Sequence, residues 1–179
     1  MATLRKASSY TKMKARPYTR VSKVKAKSYI KTVPPKKLVK MRMGKLNLYE
    51  QGQFKFILKL ISKENVQLRD NALEAARQFL NNKLEKLAKD SFYLEVKVVP
   101  HHILRENKML TGAGSDRMQT GMQLSFGKTI GRAALVKENQ ELFLIAVGNE
   151  KNMKISQNLL QKIKAKLPCS TKIVMSRKN

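Results

Sequence analysis

The stretch Pro100–Arg132 reads PHHILRENKMLTGAGSDRMQTGMQLSFGKTIGR, and it separates two parts of the chain that carry clear patterns of core elements. It holds five of the eight glycines in the sequence and shows neither sustained alternation nor a helical stripe. Most connections in compact domains are short, and long ones are commonly functional or disordered. We therefore predict a functional loop over residues 100–132, held by the packed elements on either side.

The segment before this loop has the periodicities of ordinary strands and of one long helix. Apolar residues at alternate positions predict strands at Leu38–Met43, Gln53–Ser62 and Ser91–Val99. Apolar residues at spacings of three and four predict an amphipathic helix at Val66–Lys89. In the second strand the alternation assigns four side chains to one face: Phe54, Phe56, Leu58 and Leu60.

The segment after the loop continues the same kind of structure. Two strands, Ala133–Lys137 and Leu142–Val147, are joined by the polar residues Glu138–Glu141, a length typical of a hairpin. A second helix is predicted at Lys151–Lys166 and a last strand at Thr171–Ser176. This order predicts an α+β fold in which two helices pack against a largely antiparallel sheet. We divide the chain into a basic extension, residues 1–35, and one domain, residues 36–179, that carries the loop.

The charge distribution indicates the partner. Lys and Arg number 38 against 12 Asp and Glu, which gives a formal net charge of +26. Residues 1–45 contain fifteen of these cations and no carboxylate, with Tyr10, Tyr18 and Tyr29 spaced among them. A charge of this size requires a polyanion, and aromatic rings among cations suit an arm that contacts RNA. A solvated tail is the alternative for the arm.

Several classes of protein are excluded or disfavoured. The longest apolar run, Leu142–Val147, is far shorter than the about 20 residues that a membrane-spanning helix needs. The N-terminus lacks the hydrophobic segment of a secretory signal, and the single Cys169 excludes an internal disulfide framework. We expect an intracellular protein. A free-standing binder of nucleic acid or of a membrane surface stays as an alternative.

The glycines of the loop resemble nucleotide-binding motifs only in part. Gly121 and Gly127 precede Lys128, but five residues lie between these glycines where a P-loop has four, and an extended segment follows. Gly112 and Gly114 begin a dinucleotide fingerprint whose third glycine is replaced by Arg117. A nucleotide-using enzyme is therefore the second alternative rather than the main hypothesis.

Other side chains of the loop favour structure and RNA contact over chemistry. His101 and His102 are adjacent, so on an extended segment they point in opposite directions and do not share a metal. Glu106 and Asp116 have basic neighbours, which predicts ion pairs rather than an acid–base pair. The methionines are expected to pack the base of the loop: Met109, Met118 and Met122. We predict no catalytic residue, no metal, no cofactor and no small-molecule substrate.

The run of residues 101–128, HHILRENKMLTGAGSDRMQTGMQLSFGK, closely resembles the signature of a ribosomal protein family. This family is the archaeal and eukaryotic branch, called "L ten e", of universal large-subunit ribosomal protein sixteen. The segments Gln67–Arg69, Ala72–Arg77, Arg16–Arg20 and Lys166–Pro168 extend the likeness over most of the chain from about Arg16 onward.

The resemblance implies an α/β-hammerhead type of fold and a cytoplasmic, non-enzymatic component of the large ribosomal subunit. It implies binding to large-subunit rRNA close to the A-site tRNA and near 5S rRNA, beside other large-subunit proteins. It also implies that residues 105–117 extend toward the peptidyl-transferase centre and the P-site tRNA. The residues expected to bind rRNA are Arg16, Tyr18, Arg20, Lys36, Lys37, Arg69, His101, His102, Arg117, Lys128 and Arg132. Those expected on the loop that faces tRNA are Arg105, Asn107, Lys108, Met109, Gly112 and Gly114.

Overall fold

The structure is a computed structural model, and it describes residues 10–11, 30, 32–88, 91–107, 109, 119, 121–123 and 125–177. The first half contains strand β1 (Arg42–Gly44), helix α1 (Leu46–Glu50), strands β2 (Phe56–Ser62) and β3 (Val66–Arg69), and helix α2 (Asp70–Ala88). The second half contains strands β4 (Phe92–Val96), β5 (His102–Glu106), β6 (Lys128–Val136) and β7 (Glu141–Val147). Helix α3 (Glu150–Ile163), a 3₁₀ turn (Lys164–Lys166) and strand β8 (Thr171–Arg177) complete it.

The described strands form two antiparallel sheets. The large sheet has the order β1-β4-β7-β2-β8, and the small sheet has the order β3-β6-β5. Strand β6 is long enough to pair with β5 along its first part and with β3 along its last part. The predicted α+β class and the antiparallel pairing are confirmed, whereas the single sheet is replaced by two.

The core lies between one face of the large sheet and helices α2 and α3. Leu58, Leu94 and Ile145 sit side by side on that face and are fully buried. The opposite face carries a second cluster, in which Tyr93 packs with residues of α1 and with Phe54. Both faces of the central strands are thus covered, which explains why β4 is buried at every position. Phe54 lies in this second cluster, so its predicted place beside Phe56, Leu58 and Leu60 is wrong.

Strand β3 corrects the predicted start of the first helix. Residues 66–69 were expected to be helical, but Val66 pairs with Val136 and Leu68 with Ala134 in the small sheet. Helix α2 begins only at Asp70. Four residues are too few to distinguish the two periods, and the partner strand lies far away in sequence, so pairing decides the conformation.

The residues that join β6 to β7 do not form a hairpin, because these two strands lie in different sheets. The turn instead contacts the end of β2: the Asn139 amide donates to the Ser62 carbonyl at 2.9 Å, and the Ser62 amide donates to the Gln140 carbonyl at 3.0 Å. Asn139 adopts a positive φ of 60°. A short polar turn permits hairpin pairing, but it does not select the partner of either strand.

The helices follow the prediction with small changes. Helix α3 with its 3₁₀ turn covers the predicted range, and Leu160 and Ile163 are buried as expected. In α2 the buried residues include Leu73, Leu80 and Leu84, whereas Leu87 is exposed. The five-residue helix α1 was not predicted, because it is too short to carry a period. None of the described helices has both the length and the apolar character to cross a membrane.

Candidate nucleic-acid interface

The predicted loop is shorter in the structure because both of its ends are strands. Residues 102–106 form β5 and residues 128–132 belong to β6, and Glu106 pairs with Lys128 at the open end of this hairpin. A register shift between Leu104 and Arg105 introduces a bulge. Bulges bend and twist a strand pair, so we expect a local bend of the hairpin here.

Gly127 closes the base of the hairpin by close backbone contact. Its φ is +74°, and a Cβ added there would lie 2.5 Å from the carbonyl oxygen of Glu106 and 2.8 Å from the amide nitrogen of Asn107. Only glycine tolerates both the left-handed conformation and this approach. The glycine that resembled part of a P-loop therefore serves the packing of two strands.

Arg105 holds the same base from the other strand. Its Nε donates to the Phe126 carbonyl at 3.1 Å, and its Nη2 donates to the Gly127 carbonyl at 2.7 Å. The guanidinium carbon also lies 4.0 Å from the centroid of the Phe126 ring. A planar guanidinium makes these contacts together because it stacks and donates in a fixed fork. Arg105 therefore shapes the hairpin, and its half-buried charge strengthens the positive potential there.

Three apolar side chains are exposed among the described residues between β5 and β6. Met109 is 53% exposed, Met122 is 65% exposed and Phe126 is 56% exposed. The prediction that Met109 and Met122 pack the base of the loop is wrong, and Met118 lies outside the described residues.

The segment Thr32–Val39 crosses from the hairpin to helix α2, and we call it the strap. The hydroxyl of Thr129 donates to the Thr32 carbonyl at 2.9 Å, and Nε of Arg132 donates to the Pro34 carbonyl at 2.7 Å. Further along, the Lys37 amide donates to the Asp70 carboxylate at 3.2 Å. The strap thus attaches the end of the basic extension to both β6 and α2.

The basic residues near the strap are of two kinds: one is bonded within the protein, and the others are exposed to solvent. Arg132 binds backbone of the strap, whereas the side chains of Lys36, Lys37 and Lys128 are exposed to solvent. The strap holds the two lysines on the same domain as the hairpin. Together they form the exposed cationic part of this surface within the described residues.

The two histidines occupy opposite environments, as their adjacency predicted. His101 is exposed, and its Nδ1 lies 3.0 Å from the Val99 carbonyl oxygen. His102 is only 2% exposed and pairs with Ala133 inside the small sheet. The His102 ring therefore belongs to the packing of the sheet in this structure.

Arg69 lies at the edge of the small sheet together with part of the extension. Its guanidinium carbon lies 5.1 Å from the centroid of the Tyr10 ring, a cation–π contact. Next to it, the Gln67 amide donates to the Thr11 carbonyl at 2.9 Å and the Gln67 side chain donates to the Tyr10 carbonyl at 2.7 Å. A second point of the extension is thereby bonded to the domain.

Some of the predicted residues lie outside the part of the chain that the structure describes. In the extension and the loop these are Arg16, Tyr18, Arg20, Lys108, Gly112, Gly114, Asp116 and Arg117. Asn107 and Met109 are described, and the Met109 amide donates to the Asn107 carbonyl at 3.0 Å. Phe126, Gly127 and Thr129 are the functional positions that sequence reasoning missed, although the run Ser125–Lys128 belongs to the recognised signature.

Two buried carboxylates of the described domain, Glu74 and Glu95, are engaged with cations. Glu74 accepts from Arg77, whose hydrogen bond holds the pKa of that carboxyl below its usual value. Burial acts to raise the pKa of Glu95, but bonds from Lys97 at 2.6 Å and from Arg42 at 3.3 Å outweigh burial and lower it. Among the described residues, no group of three or more His, Cys, Asp or Glu side chains could hold a metal ion. The arrangement supports binding of a polyanion.

Comparison with known proteins gives one consistent result. Residues 13–174 match the family described as ribosomal protein L16p/L10e. The large ribosomal subunit protein uL16 of Thermofilum pendens is 41% identical over 97% of this chain and 98% of its own length. Proteins of the same name from Pyrobaculum calidifontis and Methanococcus maripaludis are each 39% identical over 97% of the chain, covering 94% and 95% of their own lengths.

Proposed function

The chain belongs to the ribosomal protein L16p/L10e family, and we infer that it is a structural protein of the large subunit of the cytoplasmic ribosome. Its partners are ribosomal RNA and other proteins of that subunit. The family resemblance seen in the sequence is confirmed. The relatives are proteins of the large ribosomal subunit, and we infer that this protein likewise organises RNA and is not an enzyme.

Within that role we propose a specific place and task. The protein binds large-subunit rRNA close to the A-site tRNA and near 5S rRNA, with residues 1–35 as an rRNA-binding extension. Its hairpin reaches toward the peptidyl-transferase centre and the P-site tRNA. The observation that carries this proposal is the pair of hydrogen bonds from Thr129 and Arg132 to the strap, because they join the end of the extension to strand β6. The cations of the extension and those of the hairpin are thereby held on the same domain.

The contacts of each residue distinguish those available to contact RNA from those that position the hairpin and the strap. Exposed cations and an exposed imidazole are suited to phosphate and base contact: Lys36, Lys37, His101 and Lys128. Arg105 and Arg132 position the hairpin and the strap by binding carbonyl oxygens, and His102 packs the small sheet. We further assign rRNA contacts to Arg16, Tyr18, Arg20, Arg69 and Arg117. The tip that faces tRNA comprises Asn107, Lys108, Met109, Gly112 and Gly114.

The proposal is tested in ribosomes from cells whose only copy of the gene is tagged and altered. Met109→Ser with Met122→Ser changes the exposed tip without removing a core side chain. Met175→Ser is the matched control, because Met175 is 54% exposed on the edge strand β8. We expect both proteins to sediment with the large subunit in high salt. Only the tip variant should weaken P-site tRNA binding and change chemical protection of RNA at the peptidyl-transferase centre.

Two outcomes would contradict different parts of the proposal. Wild-type protein that stays at the top of the gradient, while the subunits are intact, would remove the ribosomal assignment. Full incorporation of the tip variant, with tRNA binding equal to that of the Met175→Ser control, would remove the role of the hairpin in tRNA positioning but leave the structural role in place.

A further inference from the structure

Strand β3 binds the beginning of the basic extension along its outer edge. Among the described strands, β3 pairs only with β6. On the side of β3 away from β6, the Gln67 amide donates to the Thr11 carbonyl at 2.9 Å, and the Gln67 side chain donates from Nε2 to the Tyr10 carbonyl at 2.7 Å. One residue of the strand thus binds two consecutive carbonyl groups of the extension.

Arg69 adds a contact from two positions further along the same strand. Side chains two residues apart in a strand lie on the same face. The Arg69 guanidinium carbon lies 5.1 Å from the centroid of the Tyr10 ring, and Tyr10 is half-buried there. Two hydrogen bonds and a cation–π contact therefore fasten the chain at residues 10–11. We call this set of four residues the latch: Tyr10, Thr11, Gln67 and Arg69.

The Gln67 amide is poorly suited to a role in packing alone. Gln67 is only 4% exposed, and its Oε1 is buried without a hydrogen-bond partner in the described part of the chain. Because a carbonyl oxygen only accepts, the bond to Tyr10 fixes the amide nitrogen on that side and leaves Oε1 unpaired. An unpaired buried acceptor lowers stability, and a methionine would fill a similar space without one. The amide is therefore accounted for by its bond to the extension.

The latch fixes one end of a basic segment whose other end is also fixed. Thr11 precedes residues 12–29, and Ile30, only 3% exposed, and the strap follow them. Residues 12–29 carry seven cations and no carboxylate. A chain extends by at most about 3.5 Å per residue, so with both ends fixed no residue of this segment lies farther than about 35 Å from an anchor. With the latch open, Lys12 could lie about 60 Å from Ile30.

We propose that Gln67 is a positioning residue for RNA binding by the extension. It holds Tyr10 and Thr11 on the edge of β3, so that residues 12–29 meet rRNA as a segment fixed at both ends. A segment restricted before binding loses less conformational entropy when it binds. The inference rests on the proposed ribosomal function, which supplies the RNA.

The first test compares two photoreactive positions in complete large subunits. Benzoylphenylalanine replaces Ala15, four residues after Thr11, or Ala26, four residues before Ile30. Gln67→Met should reduce crosslinking of position 15 to its rRNA nucleotide by roughly two- to tenfold, the factor that one hydrogen bond supplies, and should leave position 26 unchanged. Gln157→Met, at an exposed position of α3, is the matched control and should change neither. Crosslinking of position 15 that Gln67→Met leaves unchanged would overturn the proposal.

A stability measurement separates positioning from packing. Gln67→Met should leave the urea midpoint of the full-length protein unchanged or raise it, because the substitution removes an unpaired buried acceptor. A lowered midpoint, together with an equal loss of crosslinking at positions 15 and 26, would show a structural role and would overturn the positioning role.

Removal of residues 1–11 tests the same role without relying on the stability of one variant. This truncation deletes the two carbonyl groups that Gln67 binds. Gln67→Met should therefore have no further effect on crosslinking of position 15 when it is added to the truncation. A further loss would mean that Gln67 acts through the domain, which would refute the positioning role without touching the ribosomal assignment. Absence of the wild-type protein from large subunits would instead refute the proposed function.

Discussion

Arg105 is predicted to lie on the loop that faces tRNA, and in the structure its guanidinium also positions the base of the hairpin. Two consecutive carbonyl groups and an aromatic ring surround its guanidinium, all of them on the opposite strand of the hairpin. Sequence patterns identify a cation in a loop, but they do not show which carbonyl oxygens the folded backbone presents to it.

Arg105→Lys should loosen the base of the hairpin, because a lysine ammonium cannot reproduce a forked bond together with ring stacking. Hydrogen bonds to charged groups are worth about 1.5–3 kcal/mol, and every ~1.4 kcal/mol is a factor of about ten, so the loss of one bond should accelerate opening exchange at least roughly tenfold. Hydrogen exchange of the amides from Gly127 to Thr129 measures the rate at which the base of the hairpin opens. Lys128→Arg, at an exposed neighbour, is the control; equal exchange in both variants would contradict the role assigned to Arg105.

Gly127→Ala should destabilise the same base through a clash of backbone atoms. Gly121→Ala provides the comparison, because Gly121 also has a positive φ, +59°, but has no atom within 4 Å of an added Cβ. The left-handed conformation costs a non-glycine residue about 1–2 kcal/mol in either position. Exchange of the β5 amides should therefore accelerate more in Gly127→Ala than in Gly121→Ala. Equal effects would mean that the close approach to Glu106 relaxes without cost.

At the scale of elements, helix α2 and the strap are linked by two buried carboxylates, Asp70 and Glu74. Glu74 accepts from Arg77, from Gln78 at 2.9 Å and from the Val39 amide of the strap at 3.4 Å. The predicted helical stripe contained only apolar positions, so this polar anchor at the buried side of the helix was not foreseen. Its geometry required a strap whose path depends on contacts distant in sequence.

Glu74→Gln should lower the free energy of unfolding by about 1–3 kcal/mol at neutral pH, because charge-assisted bonds are lost. The pKa of Glu74 is lowered from 4.5, chiefly by the Arg77 hydrogen bond, so the ionised form is the one that folding stabilises. This contribution is fully present above pH 4.5 and is lost as the pH falls through the lower folded-state pKa.

Urea unfolding at a series of pH values measures the difference between wild type and Glu74→Gln. The difference should shrink on acidification below the ordinary carboxyl pKa. Glu85→Gln is the matched control on the same helix, since Glu85 is exposed and its recorded partner is Asn81 at 2.6 Å. A difference between wild type and Glu74→Gln that does not change with pH would show that packing, and not charge, explains the effect.

At the scale of the whole molecule, the net charge of +26 is divided unevenly between residues 1–45 and the rest of the chain. The remaining 134 residues after position 45 carry 23 basic and 12 acidic groups, a net of +11. The strap and the Tyr10–Thr11 bonds attach the extension to the domain at two points. We therefore expect RNA binding to depend on where the charge lies as well as on its total.

Replacement of Lys23, Lys25 and Lys27 by Gln should reduce the salt dependence of rRNA binding. Each phosphate contact contributes about 0.7–0.9 to the slope of log affinity against log salt concentration, so the slope should fall by about 2–3. The control replaces Lys83, Lys86 and Lys162, which are exposed on helices, and changes the net charge equally. Equal slopes for both triple variants would show that only the total charge governs binding.

The sequence by itself determined the α+β class, the strong strands, the two long helices and the identity of a polyanion as partner. These are properties of local period and of composition, as the alternation of Phe56–Ser62 and the uninterrupted basicity of residues 1–45 show. Its recognisable run at residues 101–128 also led to the correct family. Helices and strands can be predicted from local spacing because burying one face of an element requires the same residue spacing wherever that element lies in the fold.

Tertiary structure alone decided which strands pair and what each arginine binds. The division into two sheets, the strand at Val66–Arg69 and the strap on β6 all depend on partners distant in sequence. Backbone carbonyl groups are identical in every residue, so nothing in the side-chain pattern shows that Pro34 will meet Arg132 or that Gly127 will meet Arg105. Only the folded chain brings these atoms within bonding distance. A hydrogen bond to a backbone carbonyl requires the donor and the oxygen to be in the right relative position, whatever residue carries that carbonyl.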